Sequence, residues 1–264
     1  MLIILPSSET KLDPPARGKT LDVAALGFPG LNETRERLLD ALVATSAGAE
    51  ALERLQVGPG LAEEVARNTA IRALKTRPAI ELYTGVVHDA LDAATLTPEA
   101  RRRMTKHAVV ASGLFGLLRP ADRIPPYRLD IASRLQGAER LEAAWKPVLP
   151  AALDEAAEMA GITERRGVIV DLRAQSYQAL GRPARFGARL VAIQVDVDLT
   201  SGRRAPSYGA KQVRGLVGRF LLESGARPKD PAALAALIGE RWAHRLEAPA
   251  RTGQPWVLTV VPDA

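Results

Sequence analysis

The chain has no cysteine among its 264 residues. That absence excludes disulfides, thiolate catalysis and thiolate-bound metals. Histidine is almost as scarce. His88, His107 and His244 are the whole supply, and none stands in an HxH or HxxxH spacing that would turn two imidazoles toward one ion. No metal site and no cofactor are therefore expected. Long apolar runs are missing too: nothing approaches the roughly 20 residues of a membrane span. The N-terminal run Leu2–Leu5 is short and lacks the basic segment that opens a secretory signal. The expectation is a cytoplasmic protein without a membrane partner. There is no internal repeat, no low-complexity linker and no charge block, so one domain over residues 1–264 is expected.

What is present is an ordinary globular composition, 47% apolar and 25% charged, long enough to bury a sizeable core. Lys and Arg number 36 against 30 acids, a formal charge of +6. A basic chain attracts polyanions such as DNA, RNA and nucleotides. An arginine-rich composition alone is weak evidence for one, so the placement of the cations matters more than their number.

The pattern predicts a buried strand at Met1–Leu5 and helices over Leu31–Leu55, with Asn32 as N-cap, and over Gly60–Leu74. Thr97-Pro98-Glu99 is a helix start, a capping hydroxyl followed by proline at the first helical position. A strand follows at Ala108–Ala111. Leu141–Met159 reads as helix in two pieces, interrupted by Pro147 and Pro150. Strands are predicted at Gly167–Leu172, Arg189–Leu199 and Trp256–Val261, with a turn at Thr200–Gly202 and a long helix at Tyr208–Glu223. Strands and helices alternate throughout, which indicates an α/β domain with a mixed sheet surrounded by helices.

Four segments carry polar chemistry. The first, Pro6-Ser7-Ser8-Glu9-Thr10-Lys11, follows a buried strand, where ligands gather in open α/β sheets. Ser8 offers a hydroxyl and Lys11 a point charge, but the glycines of a Walker loop are missing; a solvated turn is the alternative. The second runs from Ser112 to Ile131. Gly113 and Gly116 allow a tight turn whose amides could hold an anion, and Arg119, Arg123 and Arg128 follow, stiffened by three prolines. The alternative is an internal network in which Asp122 and Asp130 neutralise the arginines and Tyr127 fills the core. The third is the helix YGAKQVRGLVGRFLLE, with Val213, Leu216, Val217, Phe220 and Leu221 on one face and Lys211, Arg214, Gly215 and Gly218 on the other. Each interior glycine costs about 1 kcal/mol in a helix, so something approaches this backbone closely, either a ligand, the preferred reading, or another segment. The fourth pairs Tyr83-Thr84-Gly85 with Asp171 at the end of a strand and Ser176-Tyr177 beyond it. Asp171 there suits an acid, a base or a ribose contact, or simply a helix cap.

In this order the segments resemble the YaaA family of bacterial peroxide-stress proteins. The resemblance spans nearly the whole chain: the PSExK-like loop at Pro6–Lys11, Tyr83-x-Gly85, the SGLFGLLRPADRIPPYR block of Ser112–Arg128, Asp171–Tyr177, and KxxRG at Lys211–Gly215. The long block is the specific part. Thr10 stands where many members have glycine, and Leu12 where they have threonine. The resemblance implies a single-domain YaaA-type fold with a basic cleft and a helix-hairpin-helix-like element, for which Gly113–Gly116 is the candidate. It also implies binding to duplex DNA, distorted duplexes included, and limitation of iron-dependent oxidative damage.

On this view Ser8, Lys11, Ser112, Gly113, Gly116, Arg119, Tyr127, Arg128, Lys211, Arg214 and Gly215 contact the nucleic acid or its phosphates. Lys11, Arg119, Arg128, Lys211 and Arg214 converge on one hollow. The alternative function is an enzyme acting on a nucleotide, nucleoside or nucleobase, with Glu9, Asp122 and Asp171 as candidate acid/base groups. A third is a scaffold or iron-handling partner without a ligand of its own.

Overall fold

A computed structural model describes residues 1–195 and 207–261. The turn expected at Thr200–Gly202 and the end of the Arg189–Leu199 strand lie outside the described residues.

The strands are β1 (Leu2–Pro6), β2 (Arg77–Pro78), β3 (Ala108–Ser112), β4 (Gly116–Leu118), β5 (Arg123–Ile124), β6 (Ile169–Asp171), β7 (Leu190–Val195), β8 (Ala243–Glu247) and β9 (Trp256–Val261). Seven form one mixed sheet in the order β4-β3-β1-β6-β7-β9-β8, and β2 pairs with β5 apart from it. From β3 to β9 the neighbours run parallel, while β4 and β8 close the two edges antiparallel. The helices are α1 (Asn32–Ala47), α2 (Ala51–Arg54), α3 (Ala62–Arg67), α4 (Ala79–Leu82), α5 (Val86–Leu91), α6 (Pro98–His107), α7 (Leu141–Trp145), α8 (Leu149–Met159), α9 (Gln175–Gln178), α10 (Ser207–Ser224) and α11 (Pro231–Gly239).

Every residue of β1 is buried, which is why LIILP is apolar without alternation: a central parallel strand is covered on both faces. Burying each of its large side chains contributes roughly 1.5–3 kcal/mol. Thr97 caps α6 by accepting from Ala100 N–H, with Pro98 behind it, as its sequence requires.

The single helix expected over Leu31–Leu55 is broken. Gly48 adopts an extended conformation at the end of α1, and α2 is a separate turn. Asn32 does not cap α1; its side-chain oxygen accepts from the buried Arg35 guanidinium instead. The Leu141–Met159 region divides as expected, but Pro150 sits in the first turn of α8 rather than breaking it. Strand β8, AHRLE, lacks the apolar alternation of a strand because it lies mostly exposed on the sheet edge.

Candidate functional site

Chain direction across the sheet creates a crevice. From β1 the chain leaves toward β3, whereas from the neighbouring β6 it leaves toward β7 on the other side. Loops after two such strands diverge, and the space outside their carboxyl ends is where open α/β sheets hold ligands. Here that space is a crevice of about 370 Å³, walled by Ser7–Thr10 after β1 and by Leu172, Ala174 and Tyr177 after β6. Gly85 just before α5, His88 from α5, and Lys211 and Arg214 from α10 complete it.

Local bonding sets its shape. Thr84 N–H donates to Thr10 C=O (3.2 Å) and Leu12 N–H to Leu82 C=O (3.0 Å), which ties the PSExK-like loop to the Tyr83-x-Gly85 segment. Gly85 has φ +93°, and a Cβ on it would lie 2.9 Å from Thr10 Oγ1 and 3.0 Å from Ser8 Oγ. A side chain there would displace the two hydroxyls, themselves 3.1 Å apart. His88 Nε2 donates to Pro6 C=O (3.0 Å), so Nδ1 is the bare acceptor of the ring, and it is buried without a partner. Burial pushes this imidazole down to about 4, so it is neutral.

Lys211 and Arg214 are the cations of the crevice. Neither has a carboxylate partner among the described residues, and Arg214 Nε is buried without any hydrogen bond. Burial holds the Arg214 guanidinium below its ordinary range, with Asp171 opposing. Arg214 also lines a second cleft of about 470 Å³ with Arg173, Arg182 and four glutamines, in which the described lining residues include no acid.

Gly215 and Gly218 have a different explanation from ligand approach. A Cβ on Gly215 would fall 2.3 Å from Val87 C=O, and one on Gly218 would fall 3.2 Å from Leu172. These glycines let α10 cross α5 and the sheet at close range; packing, not a ligand, uses them.

The Ser112–Arg128 block is mostly interior, with Arg119, Ala121 and Arg123 exposed. Residues 112–118 are all buried, and the Gly113–Gly116 turn joins strands β3 and β4 rather than two helices. Ser112 Oγ accepts from Leu114 N–H (3.2 Å) and Phe115 N–H (3.0 Å), so the amides that were to hold an anion are taken. Gly113 C=O accepts from Trp145 Nε1 at 2.7 Å. At Gly116, φ +71°, a Cβ would strike the Trp145 ring at 2.6 Å. Tyr127 Oη lies 2.8 Å from the hydroxyls of both Ser112 and Tyr83, a chain of three buried hydroxyls.

The five cations expected in one hollow separate into three groups. Lys211 and Arg214 face the crevice. Lys11 turns under its own loop, donating to Ser8 and Glu9 carbonyls (2.8 and 3.1 Å) and lying 4.0 Å over the Tyr127 ring. Burial, with Arg128 adding repulsion, pushes its amine down to about 7. Arg128 pairs with Glu9 at 2.9 Å and lies 4.0 Å from Glu64, and Lys11 borders an adjoining cleft that also holds Glu9, Glu63 and Glu64. Arg119 points elsewhere, against Gly27 and the Phe28 ring.

Among the candidate acids, Glu9 alone reaches the crevice. Asp122 accepts from Gly27 and Arg119 amides, with burial raising its carboxyl, and Asp171 is buried in a two-pronged pair with Arg173 (2.8 and 2.9 Å). His88 was the residue the sequence hid: its partner is a backbone carbonyl, which leaves no trace in residue spacing.

The family model described as Peroxide stress protein YaaA matches residues 1–246 of this chain. A UPF0246 protein of Streptomyces coelicolor is 39% identical over 265 residues, covering 99% of this chain and 98% of that one. Another, of Corynebacterium efficiens, is 38% identical over 229 residues (85% and 86% of the two chains), and one of Ralstonia nicotianae is 33% identical over 184 residues (69% and 69%).

Proposed function

This chain belongs to the YaaA family of peroxide stress proteins, and from that premise we propose that it acts in the cytoplasm by binding DNA through the phosphate backbone and limiting iron-dependent oxidative damage to it. The observation that carries this reading is the pair Lys211 and Arg214, cations held at the carboxyl ends of β1 and β6 without a carboxylate partner among the described residues. Arg214 is half-buried with Nε unpaired, and the nearby Asp171 is already spent on Arg173, so an anion would complete the guanidinium. Arg182 extends the cationic surface across Arg214 into the neighbouring cleft, where Arg173 is already paired with Asp171. Side chains of this kind position a duplex without reading its sequence, and they take the place of the hairpin amides expected at Gly113–Gly116.

The test is the salt dependence of duplex binding. Each phosphate neutralised adds about 0.9 to the log–log slope, so Lys211→Ala with Arg214→Ala should weaken binding and flatten the slope by roughly two units. An unchanged slope removes this helix from the interface.

One observation favours a second reading, an enzyme acting on a nucleotide, nucleoside or nucleobase. The crevice, about 370 Å³, lies within the roughly 300–1,000 Å³ of small-molecule sites. Ser8, Thr10 and Glu9 give it hydroxyls and one carboxylate. Thermal stabilisation by nucleoside monophosphates that is lost in Ser8→Ala, with duplex binding retained, would favour it; stabilisation by duplex alone would count against it.

A further inference from the structure

On the far side of His88 lies a larger cleft, about 570 Å³, that does not belong to the crevice. His88 is the one residue that lines both. The cleft walls are mainly apolar, from Leu12, Pro78, Ile80, Ala93, Met104 and Pro120. Leu12 is 44% exposed, and among the described residues only Met159 is another large apolar side chain left so open. The charge of the lining runs against that of the chain. Glu81, Asp89 and Asp92 meet one cation, Arg101, whose guanidinium donates to Ala94 C=O. Glu81 and Asp89 have no cationic partner among the described residues. Asp92 is engaged by Thr95 and by Arg219 at 3.6 Å.

The floor supplies the remaining clue. His88 is only 7% exposed, its Nε2–H is spent on Pro6 C=O, and its Nδ1 is a buried acceptor without a partner. An orphan acceptor of this kind loses its hydration with nothing in return unless a donor completes it.

We propose that this cleft is a second ligand site, one that takes a small organic cation: a protonated amine on an apolar body. The body packs against Leu12, Ile80 and Met104, the ammonium faces Glu81 and Asp89, and a small shift of the His88 ring on binding uncovers Nδ1, buried in the unliganded chain, to a ligand N–H. The neutrality of His88, held down to about 4 by burial, keeps that acceptor open at physiological pH. Phosphate-bearing ligands are repelled by the three carboxylates, so this site and the cationic crevice, which share His88, select opposite charges.

Three probes of matched size test it: 2-phenylethylamine, 2-phenylethanol and 3-phenylpropionate. Methyl-labelled methionine provides the readout, since Met104 borders the cleft. The Met104 methyl should shift saturably with the amine, about fivefold more weakly with the alcohol, and not with the acid. His88 Nδ1 should move upfield as the amine binds. Glu81→Gln with Asp89→Asn, both exposed positions, should bring amine and alcohol to within about twofold of each other. The proposal is overturned if the acid binds as well as the amine, if His88 Nδ1 does not respond, or if no probe shifts Met104 at millimolar concentration in the folded protein. Binding only by a basic peptide, and not by the small amine, would overturn it as well. The acid-removing variant leaves Lys211 and Arg214 intact, so duplex binding and its salt slope report separately on the proposed DNA function.

Discussion

The Ser112–Arg128 block and the crevice beside β1 draw on the same residue types and use them oppositely. In the block, Ser112, Tyr127 and the Gly113–Gly116 turn satisfy one another and are sealed from water. Beside the crevice, Lys211 and Arg214 pair with no acid among the described residues, and the buried His88 Nδ1 accepts from no donor among them. A dense motif therefore marks the scaffold that aligns strand ends, and apart from Arg128 Nε the unspent buried side-chain atoms among the described residues lie elsewhere. Buried polar groups in folded proteins are nearly always paired, so the unpaired ones discriminate better than the crowded ones.

The contrast can be broken most forcefully at the helix crossing. Gly215→Ala places a Cβ against Val87 C=O, and the overpacking should cost about 2–4 kcal/mol by urea denaturation. A neutral result would mean that α10 and α5 are farther apart than described. Acid is the next lever. The folded chain holds His88 at about 4, below the ordinary 6.5, so between those values only the unfolded chain takes up the proton. Stability should fall as pH drops through that window, by on the order of 3 kcal/mol in full. His88→Gln should flatten that part of the profile; His107, also pushed down to about 4, accounts for the slope that remains. Removing crevice cations should hardly matter to the fold: Lys211→Ala with Arg214→Ala should stay within about 0.5–1 kcal/mol of the parent while losing duplex affinity. The smallest effect belongs to Arg119→Ala, exposed and away from both clefts. It should change stability by no more than about 0.5 kcal/mol and leave the salt slope of binding alone.

Much of the fold was legible. The apolar run of β1, the Thr97 cap and the two-part helix before Met159 each rest on a local rule that the structure obeys. The edge strand β8 was not, because it is mostly exposed and is held by pairing with β9 rather than by an apolar pattern of its own. The site was half legible. Strand-end position pointed to Ser8 and Glu9, and helical spacing put Lys211 and Arg214 on one face. The same helix face misled at Gly215, since a glycine that admits a neighbouring helix and one that admits a ligand look alike in one dimension.

By itself the amino-acid sequence determined the α/β class, the family and the small set of cations from which a site could be drawn, because periodicity, capping and motif order are properties of the chain read locally. Which of those cations share a hollow was decided only in three dimensions. Lys11 and Arg128 meet Glu9, Arg119 leaves for another face, and Lys211 and Arg214 remain without an acid among the described residues. A charge seeks its nearest counter-charge in space, and that partner can stand more than a hundred residues away along the chain.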